Sequence, residues 1–327
     1  MKLATFVAAD ATGRVGAVLD GDRIADLTAA DPAAFADMLT LIDGGPAALD
    51  RARAAAGSAR VVHPLAGVKL LAPIPLPRRI RDFMCFEKHF RQSRANRYLF
   101  GIGTARLDPA KIELPQIWYD VPICYKGNPY SVVGPDAEIR WPTYSKVIDY
   151  ELEIGLVTGK QGRDIKGADA DAYIFGYTIF NDFSARDEQF FEMAGTLGPA
   201  KGKDFDTGNA LGPWIVTADE LGDPQKLTMI TRVNGEEWSR GNSGEMHHTF
   251  RDVIEYVSDN ETMMPGEILG SGTVGNGCGN ELGRFLKHGD VLELEVSGIG
   301  ILRNRIFAPH VPAAPTFPIK IGDRSQR

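Results

Sequence analysis

The stretch "DYELEIG" (residues 149–155) places an acid at every second position, Asp149, Glu151 and Glu153, with Tyr150, Leu152 and Ile154 between them. Successive side chains of a β-strand point to opposite faces. This spacing therefore predicts a strand that sends three carboxylates one way and three apolar groups into a core. Like charges that close repel, so the pattern demands a counter-charge. If Glu151 and Glu153 share a face, their Cα atoms lie about 6.5–7 Å apart, near enough for both side chains to converge on one ion. The other reading of the same residues is a solvated face paired with lysines such as Lys146 or Lys160.

Further acids and bases flank this strand in the chain. Asp182 follows the apolar run "YIFGYTIF" in "FNDFSARDEQ", at a strand end where a carboxylate can face an open cleft. Convergent carboxylates without nearby cysteine or histidine favour a hard cation held by oxygen, Mg²⁺, Mn²⁺ or Ca²⁺ over Zn²⁺. Upstream, "DFMCFEKHF" puts Asp82 seven residues before His89, whose near-neutral pKa makes it a candidate for taking a proton from water. The adjacent pair His247-His248 does not share a helical face, which argues against a joint ligand role.

Two loops complete the inventory. "PAKGKDFDTGNALGP" (199–213) gathers Lys201, Lys203, Asp204, Asp206 and Thr207 between glycines, and lysine donors there can hold a carboxylate or polarise a carbonyl; a polar surface loop is the plain alternative. "GSGTVGNGCGNELG" (270–283) contains a formal GxGxxG, but it sits late in the chain and leads back to a strand, not into the long helix of a dinucleotide fold. Its exposed backbone N–H groups and the Thr273 hydroxyl are instead suited to touching a small substrate.

Around these segments the chain is rich in short strands, such as "AYIFGYTIF", "PWIVT", "LTMITRVNGEEWSRGN" and "VLELEVSGIGILRNRIF". Helical pieces are predicted at "HTFRDVIEYVS" and "SARDEQFFEMAG". This pattern predicts a strand-dominated α+β fold and disfavours a doubly wound sheet. "LATFVA" and "RVGAVLDGDRIADL", with an Asp20-Gly21 turn, open the chain as a small antiparallel sheet. Two alanine-rich helices and the proline-rich "LLAPIPLPRRI" follow, and a domain boundary is expected near residue 78, giving units 1–78 and 79–327.

Composition narrows the class. The 327 residues are 43% hydrophobic and 24% charged, which fits a globular chain with a substantial core. A net charge of -7, with no basic cluster before the tail "DRSQR", argues against nucleic-acid binding. Cys85, Cys124 and Cys278 show no CxxC spacing, and no apolar run suggests a leader or membrane span, so a reducing, cytoplasmic setting without disulfides is expected.

Taken in order, these segments resemble the fumarylacetoacetate hydrolase family. The matching motifs are an aspartate with a histidine seven residues on (Asp82, His89), a DYExE strand (Asp149 to Glu153), an NDxSARDxQ turn (Asn181 to Gln189), a KxFDT segment (Lys203 to Thr207) and a late GT loop leading to GD (Gly272-Thr273, Gly289-Asp290). The resemblance implies a mixed β-sandwich roll with a small N-terminal α/β domain and a homodimer. It also implies a divalent metal, usually Mg²⁺ or Ca²⁺, at Asp82, Glu151, Glu153 and Asp182. It further implies hydrolysis of a C–C bond in a β-diketo acid or acylpyruvate, or alternatively hydration or decarboxylation of a 2-oxo acid. A non-catalytic binding protein retaining the metal is the reading from another class. His89 would activate water with Glu281 as its orienting carboxylate, while Lys203, Gln189 and Thr207 stabilise oxygens that gain charge and Tyr125 and Thr273 line the substrate site. Two positions depart from the family. Gln92 stands where one branch carries the glutamate of HxxE, and Met193 stands where the fumarylacetoacetate-cleaving branch has a second tyrosine.

Overall fold

The computed structural model describes residues 1–8, 12–20, 22–311, 315–319 and 321–322. Gly21 of the expected turn and the basic tail at 323–327 lie outside the described residues. In chain order the strands that build the main sheet include β1 (Lys2–Val7), β2 (Gly13–Leu19), β3 (Arg23–Asp26), β4 (Ile80–Phe83), β5 (Cys124–Gly127), β6 (Leu152–Thr158), β7 (Ile174–Asp182), β8 (Asn209–Thr217) and β9 (Ile268–Gly270). The helices used below are α1 (Met38–Asp43), α2 (Gly45–Gly57), α3 (Glu87–Ala95), α4 (Arg186–Met193), α5 (Phe250–Ser258) and α6 (Gly279–Leu282).

The sheet runs in the order Val62–Pro64, β3, β2, β1, β8, β7, β6, β9, β4, β5. Its neighbours along that path pair antiparallel except β9 and β4, which are parallel. A second sheet of Glu236–Asn242, Thr228–Val233, Val291–Val296, Gly300–Phe307 and Glu138–Arg140 packs against it. The result is a strand-dominated α+β fold, a mixed β-sandwich roll.

Alternation along β6 divides the molecule into layers. Leu152, Ile154 and Leu156 enter the core between the sheets, with Met229, Leu294, Val296 and Leu302 from the second sheet and Val253 and Ile254 from α5. Each such fully buried aliphatic side chain contributes about 1.5–3 kcal/mol. Thr249 caps α5 reciprocally with Asp252, which fixes where that helix meets the core. On the opposite face, Val157 packs with Phe180, Leu211 and Ile268 against Met38, Leu41 and Ile42 of α1 and Ala52 of α2. Across residue 78 both sheet and core are continuous, since β1 pairs with β8 (Leu3 with Ile215) and Leu3 and Val15 share a core with Ile80 and Phe180.

The acid stretch itself is not one uninterrupted strand. Ile148–Asp149 pairs with Ser184–Ala185 in a separate ribbon, and the chain re-enters the main sheet only at Leu152. Every residue from Asp149 to Ile154 is buried, so the carboxylates do not form a solvated face.

Candidate active site

Adjacent strands lay the site out as a row across the sheet. Asp182 ends β7, Glu153 lies on β6, Gly270 on β9 and Asp82 on β4, with Tyr125 of β5 opposite Asp82. The strands of Glu153 and Asp82 flank β9 and so stand about 10 Å apart, and their carboxylates meet over Gly270. A Cβ at Gly270 would fall among Asp82 Oδ1, Glu153 Oε2 and the ring of Phe180. The absence of a side chain there lets the two carboxylates close over the Gly270 backbone.

One oxygen from each of Asp82, Glu153 and Asp182 lies within 4.8 Å of the others, and all three residues are buried. Asp82 Oδ1 and Asp182 Oδ1 have no hydrogen-bond partner, and leaving a buried acceptor so costs about 1–3 kcal/mol. Glu153 accepts from the Gly272 N–H at 3.0 Å and from the Thr273 hydroxyl at 3.4 Å. Burial pushes all three carboxyl pKa values up, and neighbouring carboxylates add to the rise at Glu153 and Asp182; a hydrogen bond shared with Glu153 and the charge of Lys203 offset part of it at Asp82, as Lys203 does at Asp182. An oxygen-only donor set with converging, unpaired buried oxygens fits a hard divalent cation.

The remaining acids of the stretch are compensated. Asp149 accepts from the N–H groups of Gly279 (2.7 Å) and Asn280 (3.0 Å) and from Arg186 Nε (2.8 Å). Glu151 accepts from Arg186 Nη2 at 2.8 Å and from Lys203 Nζ at 2.5 Å. These cations hold its carboxyl well below the usual range against the opposing effect of burial. Lys203 is itself buried and ion-paired to Asp182 as well; burial pulls its pKa down, but Asp182 and Glu151 outweigh that and raise it. The structure thus gathers Asp82, Glu153 and Asp182 as one group, while both oxygens of Glu151 are engaged by protein cations. The counter-charge demanded by the sequence comes from Arg186 and Lys203. Lys146 and Lys160 are not partners of these acids: Lys146 is exposed and Lys160 lies over the Tyr173 ring.

His89 stands on α3, over the same region. Its Nδ1 is 3.2 Å from Glu281 Oε2 and its Nε2 is 3.9 Å from Glu151 Oε1. Burial depresses the imidazole pKa, but the charge and hydrogen bond of Glu281, with Glu151, outweigh it and the net direction is up. Glu281 is fixed in the first turn of α6 by the N–H groups of Asn276 (2.9 Å) and Cys278 (3.1 Å). Gln92 cannot reach this dyad as a base; it donates to Asn276 Oδ1 at 2.9 Å and ties α3 to the glycine-rich loop.

The other expected site residues are placed as follows. Tyr125 donates its hydroxyl to Asp182 Oδ2 at 2.6 Å, and Gln189 accepts from Arg186 Nη1 at 2.7 Å. Two of the expected hydroxyls carry protein contacts. Thr207 accepts from the Arg140 N–H at 3.0 Å, with a left-handed backbone (φ 69°), so its hydroxyl closes a loop. Thr273 donates to Glu153, and within its loop the N–H groups of Gly272, Asn276 and Gly279 donate to Glu153, Glu281 and Asp149. Met193 is exposed at the end of α4. His247 and His248 meet edge to face and pack at a tilt against Trp118, and neither belongs to a described cluster of potential metal ligands. Arg186 is the functional side chain that sequence reasoning gave no role, although it lies inside the quoted "SARD" segment.

No described helix is long and apolar enough to cross a membrane. The family model of the fumarylacetoacetate (FAA) hydrolase C-terminal region matches residues 79–307. The mitochondrial oxaloacetate tautomerase Fahd2a of Rattus norvegicus is 32% identical over 287 residues, covering 88% of this chain and 84% of that protein. The oxaloacetate tautomerase YisK of Bacillus subtilis (strain 168) is 30% identical over 312 residues, covering 89% of this chain and 95% of its own. Among solved structures, maleylpyruvate hydrolase from Sphingobium sp. SYK-6 in complex with manganese(II) and pyruvate superposes with a TM-score of 0.71 at 25% identity, covering 94% of this chain and 99% of that one. A match across the whole catalytic region, with relatives of this similarity over most of the chain, makes the protein a member of the fumarylacetoacetate hydrolase family.

Proposed function

We propose that this chain is a divalent-metal-dependent enzyme that interconverts the keto and enol forms of a 2-oxo dicarboxylic acid of the oxaloacetate type. The observation that carries the reading is the His89–Glu281 dyad, 3.2 Å across, beside the buried group Asp82, Glu153 and Asp182. The names of two relatives at 30% identity or more, both oxaloacetate tautomerases, support the substrate class.

Asp82, Glu153 and Asp182 would hold the cation, with Mg²⁺ or Ca²⁺ favoured by the all-oxygen donors and Mn²⁺ compatible with them. When bound, the cation supplies Lewis-acid polarisation of the 2-oxo group. His89 Nε2 takes the proton from C3 as the C–H electron pair moves toward the C2 oxygen, and a proton returned to that oxygen completes the enol. Glu281, bonded at Nδ1, sets the tautomer that leaves Nε2 free to accept. Lys203, Tyr125 and Gln189 lie around Asp182 and Arg186 and orient the acid.

C–C bond hydrolysis of a β-diketo acid is the second reading, with His89 taking its proton from water instead. The likeness to a maleylpyruvate hydrolase favours it. One experiment separates the two. Decay of the enol absorbance of oxaloacetate, with added Mg²⁺ and with chelator, is accelerated by a tautomerase only when metal is present, and no carbon fragments form. An enzyme that leaves the enol decay at its spontaneous rate but splits an acylpyruvate into two acids is the hydrolase.

A further inference from the structure

Next to the carboxylate group stands a second cluster of different donor chemistry. His89, Cys278 and Glu281 each offer one ligating atom, with all three atoms within 4.8 Å of one another and all three residues buried. His89 Nδ1 is 3.2 Å from Glu281 Oε2 and 3.9 Å from Cys278 Sγ. Ligands at Zn²⁺ bond lengths of about 2.0–2.3 Å are separated by about 3.3–3.8 Å along a tetrahedron edge, so these two separations are close to what zinc requires. Two backbone N–H groups already fix Glu281 in place. Without an ion, burial pushes the Cys278 thiol pKa well up, so the sulfur keeps its proton.

We propose that His89, Cys278 and Glu281 form a second metal site, selective for Zn²⁺ over Mg²⁺ and Ca²⁺, whose occupation turns the enzyme off. A thiolate, an imidazole and one carboxylate make a zinc donor set with an open fourth position for water, whereas the all-oxygen group at Asp82 suits hard ions. The two ions therefore sort by chemistry between neighbouring sites. On binding, the Cys278 S–H bond breaks and its proton leaves to solvent, the sulfur and one Glu281 oxygen ligate zinc, and His89 Nδ1 donates its lone pair. The ring proton then resides on Nε2, which leaves His89 no free lone pair with which to accept a proton. The inhibition rests on the role proposed above for His89; the binding does not.

The full-length protein is loaded with Mg²⁺ and titrated with Co²⁺, then separately with Zn²⁺ during turnover. A thiolate-to-cobalt charge-transfer band that saturates at one equivalent is expected. Zn²⁺ is expected to inhibit against excess Mg²⁺, while Cys278→Ser loses the band and needs at least about tenfold more zinc for the same inhibition. Absence of the band in the unmodified protein overturns the site, as does equal zinc inhibition of Cys278→Ser, which would put the ion at the carboxylates. Zinc-edge X-ray absorption on the unmodified protein needs no variant: sulfur at about 2.3 Å supports the site and a shell of oxygen and nitrogen alone refutes it. A cobalt band in a protein that leaves oxaloacetate unchanged would retain this site and remove the tautomerase reading.

Discussion

Two carboxylates two residues apart, Glu151 and Glu153, occupy opposite electrostatic worlds. Glu151 is clasped by Arg186 and Lys203, and its carboxyl is driven down; Glu153 faces Asp82 and Asp182, and its carboxyl is driven up. Both are buried. The difference teaches that burial alone does not define a metal-ready acid, because the fold supplied cations to one neighbour and withheld them from the other. Both Glu151 oxygens are held by protein cations, whereas no described ion pair reaches Glu153 and Lys203 engages only one oxygen of Asp182.

The strongest way to break this contrast is Asp182→Ala, which removes one acid of the group and one partner of Lys203; cation binding by calorimetry is expected to vanish and turnover to fall to background. Normal titration would take Asp182 out of the centre. Replacing His89 by Ala tests the dyad separately: turnover should fall about 10²–10⁴-fold while cation affinity stays close to that of the unmodified protein. Loss of the cation as well would make His89 a ligand.

Arg186→Met attacks the compensated half. It leaves Asp149 and Glu151 buried without their shared guanidinium, and a loss of about 3–5 kcal/mol in urea unfolding is expected. Glu153→Gln sharpens the other half. In chelator the variant should be more stable than the parent, because a repelled charge is gone. The parent, but not the variant, should gain about 2.7 kcal/mol when the divalent ion is at one hundred times its Kd. The smallest effect belongs to Thr207→Ala, which loses the bond from the Arg140 N–H, about 1 kcal/mol of stability, with kcat unchanged. A large drop in kcat there would return Thr207 to the substrate site.

Much of this was legible in the residues because it is local. Alternation of Tyr150, Leu152 and Ile154 announced a strand with one face in a core, and a histidine seven residues after Asp82 gave the beginning of a site. What stayed hidden is long-range. No local pattern says that β9 inserts between β6 and β4, although that insertion is what sets Gly270 between Glu153 and Asp82. Asp149 looked like the third acid of one face, yet its partners are backbone groups of Gly279 and Asn280, 130 and 131 residues along the chain. Arg186 was unreadable for the same reason, since an arginine at a strand-to-helix junction is ordinarily solvated and only the tertiary fold shows it buried. The protein contacts of the Thr207 and Thr273 hydroxyls were hidden likewise, since their partners, Arg140 and Glu153, lie far off in the chain.

Gly270 carries a final consequence. The convergence of Asp82 and Glu153 depends partly on an atom that is absent, since a Cβ at Gly270 would collide with an oxygen of each. Alanine scanning ordinarily asks what is lost when atoms are deleted, and here the informative change is an atom gained. A protein carrying Gly270→Ala would keep every carboxylate and still have two of them forced out of position by hydrocarbon.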